Sequence, residues 1–164
     1  MTFTPERLSQ QEIAWQKVKE LLEKYGCRIL DMRIPKDLSL KELDADLKQT
    51  IGKIKATKFD LLVTRQKEHY LVEVKYKSKI AFKTWVDKNS YDVYHEMACK
   101  LGFPFLYFVY VDETEKIYRH EVSSPENFKS FVDRKRQTVY LIPEEKFHEV
   151  EPSFTKRLDT WCRM

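Results

Sequence analysis

The chain reads as an α/β fold, a mixed central sheet flanked by helices with core order α-β-β-β-α-β. Three observations predict it. Stretches with helical spacing of apolar residues bracket runs rich in β-branched and aromatic residues. A short polar connection joins two of those runs as a hairpin. The segment Pro104 to Val111 (PFLYFVYV) is apolar on both faces, as a central strand covered from either side must be. At 164 residues the chain has the size of one domain, 1–164, with a core at about 9–111 and a C-terminal elaboration at 112–164.

The first element is expected to be a helix. Ser9 and Glu12 have capping-box spacing, Ile13, Val18, Leu21, Leu22 and Tyr25 recur at helical intervals, and Gly26 is placed to stop it. Cys27 to Ile34 reads as a strand closed by Pro35, and 39–51 as a short amphipathic helix striped by Leu40, Leu43, Leu47 and Ile51. After a loop over 52–58, Phe59–Thr64 and Tyr70–Tyr76 form the hairpin. A helix from about Asp87 to Lys100 turns Val93, Met97 and Leu101 inward and ends at Gly102. Beyond the central strand come a strand near Ile117–Val122, a helix opened by Ser124-Pro125, a strand near Thr138–Ile142 and a helical tail through Trp161.

Composition excludes several classes. With 42% hydrophobic and 13% aromatic residues and three glycines, the chain is neither disordered nor fibrous. No apolar run approaches the ~18 residues of a membrane span, so no membrane association is expected. The start MTFTPERLSQ has no charged stretch leading into an apolar one, so no secretory signal is expected. Cys27, Cys99 and Cys162 are far apart and odd in number, which argues against a disulfide framework and for a cytoplasmic, reducing setting. The histidines show no metal-ligand spacing, and neither a phosphate-binding GxxxxGK[ST] loop nor a G-x-S-x-G elbow occurs.

The net charge of +4 is unevenly spread. Between Lys48 and Lys88 stand eleven Lys or Arg against four acids, while the rest of the chain is slightly acidic. A basic middle on an acidic frame points to a polyanion bound at one place.

One cluster carries chemistry. Asp60 lies near the start of one strand, and Glu73 and Lys75 lie two apart on the next, so both project from one face. Their neighbours Val72, Val74 and Tyr76 point to the other face and can fill a core. Two carboxylates and an ammonium among apolar strands are costly unless something uses them. Mg²⁺ or Mn²⁺ would: two carboxylates hold such a cation and leave it waters and room for a phosphate oxygen. Lys75, a compact charge, is placed to position a water or stabilise a pentacovalent phosphorus.

The string FDLLV…YLVEVKYK resembles the PD-(D/E)XK nucleases, whose signature is an acid on one strand and (D/E)-x-K on the next. Asp60 matches the first position and Glu73-Val74-Lys75 the second, while Phe59 stands where the proline would be. The resemblance covers roughly Ser9 to Val111, and its element order is similar to that of archaeal Holliday-junction resolvases and restriction-type nucleases. It implies a restriction-endonuclease-like αβββαβ core, metal binding by Asp60 and Glu73, and assistance from Lys75 in hydrolysing a DNA phosphodiester. It also makes Glu12 on the first helix a candidate third metal ligand, against a plain capping role. Lys88, Tyr91 and His95, on one face of the later helix, become candidates for touching the substrate phosphate, against a solvated helix with Tyr91 and Tyr94 packed on the sheet.

Lys53, Lys55, Lys77 and Lys79 flank the two hairpin strands and are expected to contact nucleic acid, with Lys88 and Tyr91. The run Arg134-Lys135-Arg136 is expected to be an exposed loop or helix end that contributes less. The leading expectation is a metal-dependent endonuclease acting on DNA, including structured or branched DNA. Cutting of two strands by so small a chain implies a homodimer. Three alternatives stand beside it. They are a non-catalytic nuclease-fold module binding nucleic acid or a protein partner, an interaction domain with Glu73 and Lys75 as a surface ion pair, and a nuclease acting on RNA.

Overall fold

The computed structural model describes residues 5–32, 59–79 and 84–150. The expected helix over 39–51, Lys53, Lys55 and the tail through Trp161 lie outside the described residues. No helix among the described residues is long and apolar enough to cross a membrane.

Helix α1 spans Pro5–Lys24, beginning earlier than the Ser9 capping box implies. Proline suits a first helical turn because its missing N–H would have no partner there, and Ser9 and Glu12 therefore sit inside the helix and do not cap it. The buried stripe is Ala14, Trp15, Val18, Leu21 and Leu22, whereas Ile13 is 41% exposed. Val18, Leu21 and Leu22 are thus inward as expected, while Ala14 and Trp15 take the place expected of Ile13. Gly26, at φ 77°, takes the left-handed turn that leads into Cys27.

Strand β1 (Arg28–Asp31) pairs antiparallel with β2 (Leu61–Arg65), and β2 pairs with β3 (Glu68–Lys77) through the tight turn at Gln66-Lys67. Strand β4 (Thr84–Asp87) precedes α2 (Lys88–Leu101), which is followed by β5 (Phe105–Val111) and β6 (Lys116–Glu121). Asp87 caps α2 by accepting hydrogen bonds from the Ser90 N–H at 3.0 Å and the Ser90 hydroxyl at 2.9 Å. Gly102 closes the helix in the left-handed region, so the expected limits of this element hold to within a residue. Of the residues expected inward, Met97 is buried and Leu101 packs against the core, but Val93 is not inward. Tyr91, Tyr94 and Met97 are buried, and Val93 is 45% exposed.

Strands β7 (Lys129–Val132), β8 (Thr138–Ile142) and β9 (His148–Val150) complete the described chain, with one 3-10 turn at Glu144–Lys146. No helix follows Ser124-Pro125. The chain is extended there, turns through a Phe128 N–H to Pro125 carbonyl bond of 3.0 Å, and enters β7. Phe128 packs against the second core described below, which holds this segment to the body.

The main sheet has six strands in the order β1-β2-β3-β5-β6-β9, with only β3 and β5 parallel. It is therefore mixed, and α2 is the crossover that a parallel neighbour requires. A second, antiparallel sheet runs β4-β8-β7. Each face of the main sheet has its own core. Val72, Val74, Leu106, Phe108 and Tyr110 meet the α1 stripe on one face. On the other, Leu71, Phe105 and Tyr107 meet Tyr91, Tyr94 and Met97 of α2 and Val86, Tyr140 and Ile142 of the small sheet. Strand β5, covered on both faces, is buried throughout, as its unbroken apolar run requires.

Candidate active site

The register of β3 against β2 builds the site. Leu61 pairs with Val72, and β2 goes no further toward the C-terminal end of β3. From Glu73 onward, β3 keeps β5 on one side and has lost β2 on the other. Side chains replace the missing strand. The Asp60 N–H donates to the Val72 carbonyl at 3.2 Å, and the Asp60 carboxylate Oδ2 accepts the Val74 N–H at 2.8 Å. From α1, Gln11 Nε2 donates to the Val74 carbonyl at 2.9 Å. Both backbone polar groups of Val74 are thus satisfied where the ladder stops. Asp60 is fixed in the process, as the bend that leads into β2.

Glu73, Lys75 and Lys77 alternate along β3 onto the face opposite Val72 and Val74. All three are partly buried. The Tyr94 hydroxyl of α2 donates to Glu73 Oε2 at 2.6 Å, and the ring of Tyr94 stacks on Phe105 at 4.1 Å. Lys75 Nζ lies 5.6 Å from the centre of the Tyr107 ring, a cation-π approach that orients the ammonium.

The electrostatics follow from burial and like charge. Burial, a hydrogen bond with Asp60 and the nearby Asp60 charge push the Glu73 carboxyl up to about 8, opposed by the Tyr94 hydroxyl and Lys75. The Tyr94 hydroxyl is itself raised, first by burial and then by Glu73. Lys77 is lowered, first by burial and then by the Lys75 charge. Two crowded carboxyls, one of them largely buried, form a niche where positive charge is wanted. That demand suits a divalent hard cation, which needs one or two carboxylates and keeps its remaining places for water and phosphate oxygens.

Asp60, Glu73 and Lys75 therefore lie together. Glu12 is exposed on α1, and among the described residues no group of three His, Cys, Asp or Glu could hold a metal ion. Gln11 lies on the sheet-facing side of the helix in its place, three and four positions before Ala14 and Trp15. Lys79 is exposed. Lys88 pairs with Asp92 at 2.7 Å and keeps 40% of its side chain exposed.

Tyr91 requires a correction. It is fully buried, and its hydroxyl lies 2.7 Å from His120 Nε2 and accepts the Ser123 N–H at 3.1 Å. Its surface and its hydroxyl are both spent on the core, so it has nothing to offer a phosphate. Two site residues went unassigned in the sequence. Gln11 is a polar residue standing in register with the apolar positions 15, 18 and 22. Tyr94 stands three residues after Tyr91 on the same buried face.

No model of a known sequence family matches the chain, and no curated protein does. Solved structures do resemble it. Hjc, a Holliday junction resolvase from the archaeal hyperthermophile Archaeoglobus fulgidus, superposes with a TM-score of 0.53 at 10% identity, over 85% of this chain and 91% of that one. D212, a nuclease from a fusselovirus, gives 0.52 at 12% identity, over 91% and 89%. Both have PD-(D/E)XK-type nuclease folds.

Proposed function

The chain has the restriction-endonuclease-like fold, and on that premise we propose that it is a Mg²⁺- or Mn²⁺-dependent endonuclease hydrolysing DNA phosphodiester bonds. The observation that carries the reading is the Asp60–Glu73 pair, with Glu73 held neutral by burial and by its neighbour while Lys75 projects from the same face. A cation held by the two carboxylates would supply Lewis-acid activation of water and offset negative charge at phosphorus. The residues do the rest. Asp60 and Glu73 would hold the cation, and Tyr94 orients the Glu73 carboxylate through its hydroxyl. Lys75, steadied over Tyr107, presents an ammonium to the attacking water or to the phosphoryl oxygens. Lys77, Lys79 and Lys88 offer phosphate contacts around this end of β3.

The test is incubation with linear, single-stranded, flapped and four-way DNA, and with RNA, in the presence and absence of Mg²⁺ or Mn²⁺. The four-way substrate is included because the similar Hjc is a junction resolvase. Metal-dependent internal cuts are expected, and they should vanish in Asp60→Ala and in Glu73→Ala. Both variants should stay folded, which circular dichroism checks: Glu73→Ala removes a buried carboxyl that is costly to ionise, and Asp60→Ala loses one acceptor, that of the Val74 N–H, at about 1–3 kcal/mol. Full activity in chelator, or in either variant, rejects the assignment. Cutting of both strands at one site, accompanied by a dimeric mass in solution, would identify a homodimer as the acting form.

A further inference from the structure

Among the described residues, the most strongly charged turn outside the carboxylate site is the tip of the β7–β8 hairpin. Asp133 organises it. Its Oδ1 accepts the N–H groups of Lys135 at 2.9 Å and Gln137 at 2.8 Å. The Asp133 N–H donates to the Gln137 carbonyl, and the Arg136 N–H to the Asp133 carbonyl, with Arg136 at φ 61°. The only acid of the tip is thus turned inward onto backbone. Arg134, Lys135 and Arg136 are all exposed, and among the described residues no carboxylate pairs with any of them. Three exposed cations on consecutive residues of a backbone-fixed turn repel one another, which suits the surface to an anion.

The topology roots this tip beside the first turns of α2. Strand β5 runs parallel to β3 and begins beside Leu71, so α2 must run back across the sheet, with its first turn near the C-terminal end of β3. Tyr94, midway along, reaches Glu73. Tyr140 of β8 donates to Asp92 Oδ1 at 2.9 Å, and Lys88 Nζ lies 5.5 Å from its ring, so β8 packs beside the first turns of α2. Tyr140 and Ile142 share the core on the Glu73 face of the sheet, which puts the hairpin on that face. Lys135 is five residues from Tyr140, within about 17 Å of extended chain. Val139 pairs with Asp87 at the start of α2, so the chain enters the tip from the end of α2 that carries Lys88 and lies nearest the C-terminal end of β3.

We propose that the Arg134–Arg136 tip is a second phosphate-binding surface, gripping the backbone of duplex DNA outside the step that is cut. The proposal rests on the nuclease reading above, and it assigns to this hairpin affinity without sequence preference and no part in the chemistry.

The test measures binding of a linear duplex, with Ca²⁺ replacing Mg²⁺ to suppress cutting, for the wild type and for R134Q/K135Q/R136Q. The variant should bind every sequence more weakly. If three phosphate contacts are lost, the slope of log affinity against log salt becomes shallower by about 2.7, so the gap between the two proteins closes by about fortyfold between about 50 and 200 mM salt. Single-turnover cleavage at saturating protein should be unchanged, as should the unfolding midpoint. R134Q and K135Q alone, which leave the left-handed residue untouched, should each take about 0.9 off the slope. A wild type that binds and cuts DNA, beside variants with unaltered affinity and slope, overturns the hairpin and leaves the nuclease reading standing. A wild type that neither binds nor cuts any DNA removes both.

Discussion

Glu73 titrates far from its ordinary range because it is buried beside a second acid, and this gives the metal-free protein a pH signature. Between the unperturbed value of 4.5 and about 8, the folded chain holds a proton that the unfolded chain has released. Stability is then greatest at the acid end of that window and falls as pH rises through it. Thermal unfolding in chelator should show the decline, and Glu73→Gln should flatten it. A divalent cation favours the ionised form, so its addition should raise the midpoint most at the alkaline end. Lys75→Met should abolish cleavage while leaving metal affinity intact by calorimetry, and Lys75→Arg should not restore it, because a planar guanidinium does not replace a compact ammonium. Tyr94→Phe keeps the ring stacked on Phe105 but removes the hydroxyl from Glu73. The loss of a bond to a charged group, about 1.5–3 kcal/mol, should slow single-turnover cleavage by roughly tenfold to a hundredfold without unfolding the protein. The acids and the lysine were legible in the sequence because strand alternation fixes which residues share a face. Tyr94 was not, because only the packing of α2 on β5 distinguishes a tyrosine that reaches Glu73 from one, such as Tyr91, that is sealed in the core.

Elements were legible where local chemistry decides them. Asp87 and Gly102 bound α2 because a side-chain cap and a left-handed residue act within one turn. Gly102, at φ 73°, has nothing within 4 Å of where a Cβ would stand, so Gly102→Ala meets no clash. Its cost is conformational alone, about 1 kcal/mol, and should appear as a lowered denaturation midpoint with unchanged cooperativity. The same local reasoning failed at Ser9 and Ser124. The serine at position 9 has capping spacing, yet the helix is already under way from Pro5, and the packing of Trp15 rather than Ile13 sets which face is inward. Ser124-Pro125 has the form of a helix start, but Phe128 is drawn into the second core and β7 pairs with β8, so tertiary contacts override the local signal. Strand β4 was hidden for a related reason, since its partner β8 lies some fifty residues away.

At the scale of the molecule, the central strand β5 depends on sequence from both sides. Its pairing with β3 comes from upstream, while its other edge is covered by β6. The core over its Phe105 and Tyr107 is completed by Val122, Tyr140 and Ile142. Ending the chain at residue 111 should therefore leave the longest apolar strand with an open edge and an uncovered face, and that fragment should be insoluble where the full chain is not. Pelleting the two after expression checks it. The arrangement also has a meaning in time. On the ribosome, the acids and lysine of the hairpin emerge early, but the strand that steadies the helix facing them follows only after Tyr140 is released. At roughly 5–20 residues per second that delay lasts several seconds. A nascent chain tethered near its own messenger would thus carry the proposed catalytic residues without the scaffold that aligns them, and on the nuclease reading competence would arrive only near the end of the fold. Stalling synthesis between residues 111 and 138 should yield chains that bear Asp60, Glu73 and Lys75 yet cleave nothing.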